Sequence, residues 1–228
     1  SWSQGQKVAV DDSGNVFVAG YTLNCVGCAP YLSIAIKYDA AGNLQWIDSV
    51  LSFESEARDM VIDKSSNMCM IGVYINTGGG GFAVKINTHG DTLWEKDYSL
   101  DETPYAVATD DSGNVYVTNS YKQEDTLMVW LTHKYDAAGQ EQWSATYPGP
   151  GFWSYNIPRG IAIDTSKNVY VTGSYWVKKT KYDVYGLHTI KYRPNGDTAW
   201  TAFYPAWDSA ICTPIGVVCD NDGNVYAT

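Results

Sequence analysis

Residues 9–20 read AVDDSGNVFVAG, and residues 108–119 read ATDDSGNVYVTN. The same arrangement returns as VIDKSSNMCMIG at 61–72, AIDTSKNVYVTG at 162–173 and VCDNDGNVYAT at 218–228. The aligned acids are Asp11, Asp63, Asp110, Asp164 and Asp220, so a unit of roughly fifty residues repeats along the chain. Within each copy, polar turn residues separate stretches with a side-chain period of two, the mark of strands with one buried face. Val16 and Val18 share a face while Phe17 takes the other; the aromatic slot recurs as Tyr116, Tyr170 and Tyr226, with Cys69 the single departure. The D-x-S-G-N or D-x-D-G-N turn is chemically explicit. Asp and Asn side chains bond nearby backbone, and Gly14, Gly113 and Gly223 accept positive φ, which predicts tight hairpins.

A second motif interleaves with the first: IKYDAAGNLQW ending at Trp46, VKINTHGDTLW at Trp94, HKYDAAGQEQW at Trp143 and IKYRPNGDTAW at Trp200. Short apolar strands precede each aligned Asp, namely Val8 to Val10, Met60 to Ile62, Val107 to Thr109, Ile161 to Ile163 and Val217 to Cys219. Each unit therefore reads strand a, tight turn, strand b, variable loop, strand c ending in the lysine motif, a glycine turn, and strand d carrying the tryptophan. Four antiparallel strands with two apolar faces need a like sheet on either side, and repetition about an axis supplies it. The expectation is an all-β fold, a β-propeller built from four-stranded antiparallel blades, with four complete repeats plus half of a fifth. The repeats run over about 5–56, 57–103, 104–157, 158–212 and, in part, 213–228, and residues 1–228 form a single propeller domain or a fragment of one. A β-sandwich is the rival layout, but it does not demand the same turn and the same tryptophan in every unit.

D-x-x-G-N-V-Y-V-T-G followed by K-Y-D-x-x-G-x-x-x-W resembles the bacterial β-propeller repeat known as SBBP, named for seven-bladed propellers, and its first half is similar to the NHL repeat. Lys37, Lys85, Lys134 and Lys191 all keep the motif position; Ser66 and Lys167 depart at the turn glycine, and Asn87 and Arg193 at the aspartate. The resemblance implies a scaffold of the kind found in large secreted or surface proteins of bacteria, and implies no shared catalytic residues.

Composition agrees with this architecture. The chain has 228 residues, of which 14% are aromatic, with 18 Tyr, 9 Trp and 21 Gly, a balance that favours short strands and turns. No window approaches the roughly 18 uninterrupted apolar residues of a membrane helix. A net charge of −10 repels a phosphate backbone and an anionic membrane alike, so neither nucleic acid nor membrane insertion is expected. The N-terminal SWSQGQKVAV has no signal-peptide character, which leaves a removed targeting segment open. Cys25 and Cys28 sit close together in LNCVGCAP, where a local disulfide and two free thiols are both open readings. No second ligand pair follows at metal spacing, and no metal or other cofactor is expected.

Adjacent strands alternate direction, so the a-b and c-d turns share one edge of the blades, and the b-c and d-a connections share the other. The first edge is short and uniform. The second carries the insertions, and loops that vary on a fixed scaffold are where binding concentrates. These stretches hold Trp153, Tyr155, Trp176, Tyr182, Tyr185, Tyr204 and Trp207, amphipathic rings suited to a glycan or a protein surface, with mutual packing of the same rings as the bland reading. Lys178, Lys179 and Lys181 form a basic cluster that reads equally as a solvated loop. His133 and His188 fall in strand c at positions that other units fill with apolar residues, which predicts buried, hydrogen-bonded histidines rather than catalytic ones. His89 belongs to an exposed turn. DDSGN and DNDGN open like a calcium loop but lack the later bidentate carboxylate, so they read as turns.

These observations favour a non-catalytic extracellular or cell-surface scaffold that binds a protein or glycan. A structural subunit of a surface assembly, built with further blades or copies of itself, is the first alternative. A propeller hydrolase or lyase with its site in other blades is the second.

Overall fold

The computed structural model describes residues 2–23, 31–50, 54–75, 78–124, 127–149, 156–177, 184–205, 214–220 and 223–228. All regular structure in them is strand. The first blade is β1 (Trp2–Val10), β2 (Val16–Leu23), β3 (Tyr31–Tyr38) and β4 (Leu44–Ser49). The second is β5 (Ser55–Ile62), β6 (Met68–Tyr74), β7 (Gly81–Ile86) and β8 (Thr92–Tyr98). The third is β9 (Glu102–Thr109), β10 (Val115–Glu124), β11 (Leu127–Tyr135) and β12 (Glu141–Tyr147). The fourth is β13 (Ile157–Ile163), β14 (Val169–Val177), β15 (Val184–Tyr192) and β16 (Thr198–Pro205), and β17 (Val217–Cys219) pairs with β18 (Val225–Ala227) as the half-blade. Each four-stranded sheet keeps its strands in sequence order. The chain divides into two compact units, residues 1–115 with 136–140, and residues 116–135 with 141–228.

The turns form as their side chains dictate. Asp11 Oδ1 accepts the backbone N–H groups of Ser13 and Asn15 at 3.0 and 2.9 Å, and Asn15 Nδ2 donates to Asp11 Oδ2 at 2.9 Å. Asp63, Asp110, Asp164 and Asp220 each accept both the backbone and the side-chain N–H of their own turn asparagine. In the second blade's c-d turn Asn87 replaces the acid without loss, because its Oδ1 accepts from His89 and Asp91. Where the turn glycine is replaced, Ser66 and Lys167 hold φ of 58° and 64°, a left-handed conformation that costs a side-chain-bearing residue about 1 kcal/mol.

The motif lysine and tryptophan are register partners in every complete blade: Lys37 with Trp46, Lys85 with Trp94, Lys134 with Trp143 and Lys191 with Trp200. A bulge immediately after the lysine recurs in all four pairs. Partners across a ladder project to the same side, so each complete blade has a forward face carrying the strand-b slot, the lysine and the tryptophan. In the first unit, Phe17, Ala19 and Ala35 pack with Met60, Met70, Phe82 and Val84 in one buried cluster. In the second, Tyr116 and Trp130 pack with Val169, Val171, Ile190 and Tyr192.

Candidate functional site

Three tryptophans are clasped by the hairpin of the following blade. Trp46 Nε1 donates to the Thr88 carbonyl at 3.1 Å, Trp94 Nε1 to Ala137 at 3.2 Å, and Trp143 Nε1 to Pro194 at 2.9 Å. Each acceptor lies two residues before a turn glycine, and the indole covers that glycine closely. A β-carbon on Gly90, Gly139 or Gly196 would come within 3.3, 2.7 or 2.9 Å of the ring. Four residues beyond each tryptophan, Val50 and Tyr98 are buried and Tyr147 is half-buried. Tyr147 stacks on His188 of the next blade with ring centroids 5.0 Å apart.

The fourth blade presents the same face open. Trp200 is 40% exposed and Tyr204, at the same four-residue step, is 61% exposed. Trp200 contacts the Tyr170 ring at 6.1 Å, and among the described residues no carbonyl meets its indole nitrogen. Trp176 and Tyr185 are register partners on that face and stack with centroids 6.4 Å apart. Of the seven aromatic candidates the structure therefore brings Trp176, Tyr185 and Tyr204 onto one blade surface. All three lie on β14, β15 and β16 rather than in loops, because these strands run further than the turn-to-turn pattern predicts. Trp153, Tyr155, Tyr182 and Trp207 lie outside the described residues, as do Cys25, Cys28 and the lysines 178, 179 and 181. The sequence signal for Tyr204 is its offset of four residues from Trp200, which Tyr98 and Tyr147 share with their own tryptophans.

The lysine slot is filled in more than one way. Lys37, Lys134 and Lys191 stand over Phe17, Tyr116 and Tyr170 at 5.2, 5.3 and 4.9 Å, cation–π distances. Beside the small Cys69, Lys85 instead sinks to 1% exposure, bonding Asp63 at 2.8 Å and the Gly113 carbonyl at 2.9 Å. Burial works to raise the Asp63 carboxyl, but bonds from Lys85 and Asn67 outweigh it and hold it below the usual carboxylate range. Burial pushes the Cys69 thiol up to about 12, so it is an inert packing group.

The turns of the first unit enclose a cavity of about 340 Å³ lined by Asp11, Asp12, Asp63, Lys64, Asp110 and Asp111 among others. Asp11, Asp63 and Asp110 are committed to their own turns, and Lys64 lies 3.8 Å from Asp111. Burial of Asp11 is likewise outweighed by bonds from Asn15, which hold its pKa low. A general acid at neutral pH needs the opposite shift. Among the described residues no group of three or more His, Cys, Asp or Glu is placed to hold a metal ion.

Both strand-c histidines are buried, at 8% for His133 and 4% for His188, but only the first has the expected bond. His133 Nδ1 lies 3.0 Å from Glu141 Oε2. His188 leaves both ring nitrogens without partners inside a box of Trp130, Tyr147, Tyr175 and Phe203. Burial alone lowers its pKa to about 4. The difference is one of neighbours: the rings that surround His188 from the third blade offer it π-faces rather than acceptors.

Four-stranded sheets repeated in sequence order, with the clasp recurring between them, define a β-propeller repeat protein. The comparisons agree: the SBBP β-propeller repeat model matches residues 3–24 and 151–174. No curated protein matches the chain in sequence. Among solved structures, an α-L-arabinanase of Penicillium chrysogenum complexed with arabinobiose is similar at TM-score 0.62 and 10% identity, over 97% of this chain and 73% of that one. A polysaccharide lyase, the PL25 ulvan lyase, is similar at 0.56 and 11%, over 95% and 62%. The β-propeller domain of the Trilobed protease from Pyrococcus furiosus, described as having an open velcro topology, is similar at 0.50 and 8%, over 100% and 77%. At such identities the likeness is one of fold.

Proposed function

We propose that the chain is a non-catalytic repeat scaffold, extracellular or displayed at a cell surface, that binds a protein or glycan through aromatic side chains. The observation that supports this most is the stacked Trp176–Tyr185 pair, carried on β14 and β15 with Tyr204 on the same blade face. Exposed rings on rigid strands lose little conformational entropy on binding and supply large contact area. Trp153, Tyr155, Tyr182 and Trp207 extend the candidate surface on sequence grounds.

The test changes Trp176, Tyr185 and Tyr204 singly to Ala, checks folding by circular dichroism, and screens the variants against glycans and surface-protein extracts. A true anchor is expected to cost about 2 kcal/mol, close to thirtyfold in affinity. Binding that survives all three changes in folded protein rejects the reading.

A hydrolase or lyase is the second reading, favoured by the acidic cavity and by enzymes among proteins of similar fold. The low pKa values of Asp11 and Asp63 weigh against it. Turnover of arabinan or ulvan that Asp12→Asn or Asp111→Asn abolishes would reinstate it.

A further inference from the structure

We propose that Arg58, held over the ring of Tyr105, is a binding site for the carboxylate of a sugar acid. It uses none of the aromatic residues of the fourth blade and stands or falls independently of them. The site begins with a bulge that recurs on strand a. The β1–β2 register passes from Gly5 to Lys7, the β5–β6 register from Ala57 to Asp59, and the β13–β14 register from Pro158 to Gly160. The residues stepped over are Gln6, Arg58 and Arg159, each five positions before its turn aspartate, and Tyr105 holds that place in the third blade. A bulge re-aims a side chain out of the strand's alternation and is over-represented beside functional sites.

Composition marks the same position. The chain has three arginines, Arg58, Arg159 and Arg193, and two of them are bulge residues, while lysine fills the motif slot of strand c in all four complete blades. Arg193 serves its own turn, donating to the Thr198 carbonyl at 3.1 Å. What arginine adds over lysine is a planar fork of five N–H donors.

In the second blade that fork is presented without an acceptor. The Arg58 guanidinium lies 5.0 Å from the ring centroid of Tyr105 on β9, a cation–π distance, and among the described residues no carboxylate or carbonyl meets it. The adjoining acid is already committed. Asp59 Oδ1 lies 3.2 Å from Lys7 Nζ on β1, and its Oδ2 accepts the Val107 N–H on β9 at 3.1 Å. These bonds brace β5 against the strands before and after it, so Arg58 and Tyr105 face each other on a fixed backbone. The chain carries 25 acids against 15 Lys and Arg, yet this cation is left to an aromatic ring.

The chemistry narrows the ligand. A carboxylate matches the guanidinium fork with two parallel N–H···O bonds, which set orientation as well as adding energy. The net charge of −10, with Asp59 next along the strand, disfavours a dianion and admits a single negative charge. Arg58 and Tyr105 are half-buried, so a bound molecule keeps one side in water. The Arg58 backbone has no register partner at the bulge and offers polar groups to hydroxyls, while a tyrosine ring suits the C–H face of a sugar. A monocarboxylate that carries hydroxyls satisfies all of these at once.

With three arginines in the chain, their side-chain Nε–H resonances are assigned by substitution, and Arg58→Lys identifies the relevant one. Sodium glucuronate is titrated into the isotope-labelled full chain at constant ionic strength, with glucose, inorganic phosphate and N-acetylglutamate in parallel. The expected result is a saturable shift of the Arg58 resonance with a dissociation constant of about 1 mM, no shift with glucose, and weaker binding of the other two anions. Arg58→Lys keeps the charge but not the fork and should weaken binding tenfold or more; Tyr105→Leu should weaken it severalfold. The titration of the unaltered chain decides the matter without reference to how either variant folds. Absence of a saturable shift overturns the proposal, and so does glucuronate binding that Arg58→Lys leaves unchanged. Phosphate or N-acetylglutamate binding as tightly as glucuronate overturns it as well, because the site would then read charge rather than a sugar acid.

Discussion

The second and fourth blades hold the same lysine, the same turn aspartate and the same tryptophan in the same register, and they part at the strand-b slot beside the lysine. In the fourth, Tyr170 fills the space between Lys191 and Asp164; the ammonium stands over the ring and stays 3.9 Å from the carboxylate, with its side chain 22% exposed. In the second, Cys69 leaves that space open, and Lys85 closes on Asp63 at 2.8 Å with both side chains almost wholly buried. The aromatic slot thus decides whether the repeat's lysine is a surface cation–π group or one half of a buried ion pair. The distinction has energetic weight, because breaking a buried pair leaves an uncompensated charge, whereas an accessible pair exchanges protein contacts for water.

The largest effect that comparison predicts is therefore an asymmetry between two identical substitutions. Lys85→Met should destabilise the chain by about 3 to 5 kcal/mol, and Lys191→Met by about 1 kcal/mol or less, read from denaturant unfolding curves. Adding Asp63→Asn to Lys85→Met removes the stranded charge and should recover much of the loss. Equal costs at the two lysines would break the comparison. The pH dependence follows the same logic. With its folded pKa below the unfolded value, the Asp63 carboxylate stabilises the chain above the ordinary carboxylate range, and that contribution is lost as pH falls through the lowered folded value.

The clasp gives the next contrast. Trp143→Ala removes a ring seated against Gly196 and a 2.9 Å bond to Pro194, and should cost about 3 kcal/mol or more. Trp200→Ala removes an indole that is 40% exposed and should cost about 1 kcal/mol in the absence of a partner. Thermal or denaturant unfolding of the two variants checks it, and a Trp200 cost as large as that of Trp143 would show the fourth blade's face to be already engaged.

Much of this was legible in the sequence because its causes are local. Period-two alternation, Asx-stabilised turns and the lysine–tryptophan spacing all act within one hairpin, so the four sheets and the half-blade follow from them. What was less legible is set by residues distant in sequence. His188 was readable as buried from its apolar position, but not as unbonded, since that depends on Trp130 and Tyr147 from another blade. Lys85 looks like its three counterparts until the ring missing at Cys69 is weighed together with Asp63. Tyr204 reads as a loop ring in FYPAWDSA, and only its four-residue offset from Trp200 marks it as the counterpart of Tyr147.

His188 makes that non-local effect measurable. Replacing it with Phe keeps an aromatic ring in the box and removes two unpartnered nitrogens, so at neutral pH the variant should gain about 1 kcal/mol or more. Because the folded pKa is lowered to about 4, the wild type is fully stable above the unfolded value near 6.5. It loses stability as pH falls between them, where only the unfolded chain takes up the proton. The titratable groups facing the imidazole are Tyr147 and Tyr175, both neutral across that interval. The melting temperature of His188→Phe should therefore fall less than that of the wild type between pH 6.5 and 4, while parallel profiles would mean that the imidazole finds a partner.

The smallest effect lies in the turns that first revealed the repeat, where two blades differ from the others by one backbone strain each. Gly14, Gly113 and Gly223 take φ of 80°, 74° and 81° without a β-carbon to crowd the following carbonyl, while Ser66 and Lys167 take 58° and 64° with one. Ser66→Gly and Lys167→Gly should relieve that crowding. Glycine's greater freedom in the unfolded chain offsets part of the gain, leaving each variant more stable by a few tenths to about 1 kcal/mol. At Ser66 the hydroxyl also bonds Asp11 and helps hold its carboxyl low, an interaction that Ser66→Gly gives up. Ser66→Gly is accordingly expected to gain less than relief of the strain alone would give, and thermal melts of Ser66→Gly and Ser66→Ala at pH 7 separate the two contributions. A Ser66→Ala variant as stable as the wild type would mean that the bond to Asp11 contributes nothing and that the strain alone separates the two kinds of turn.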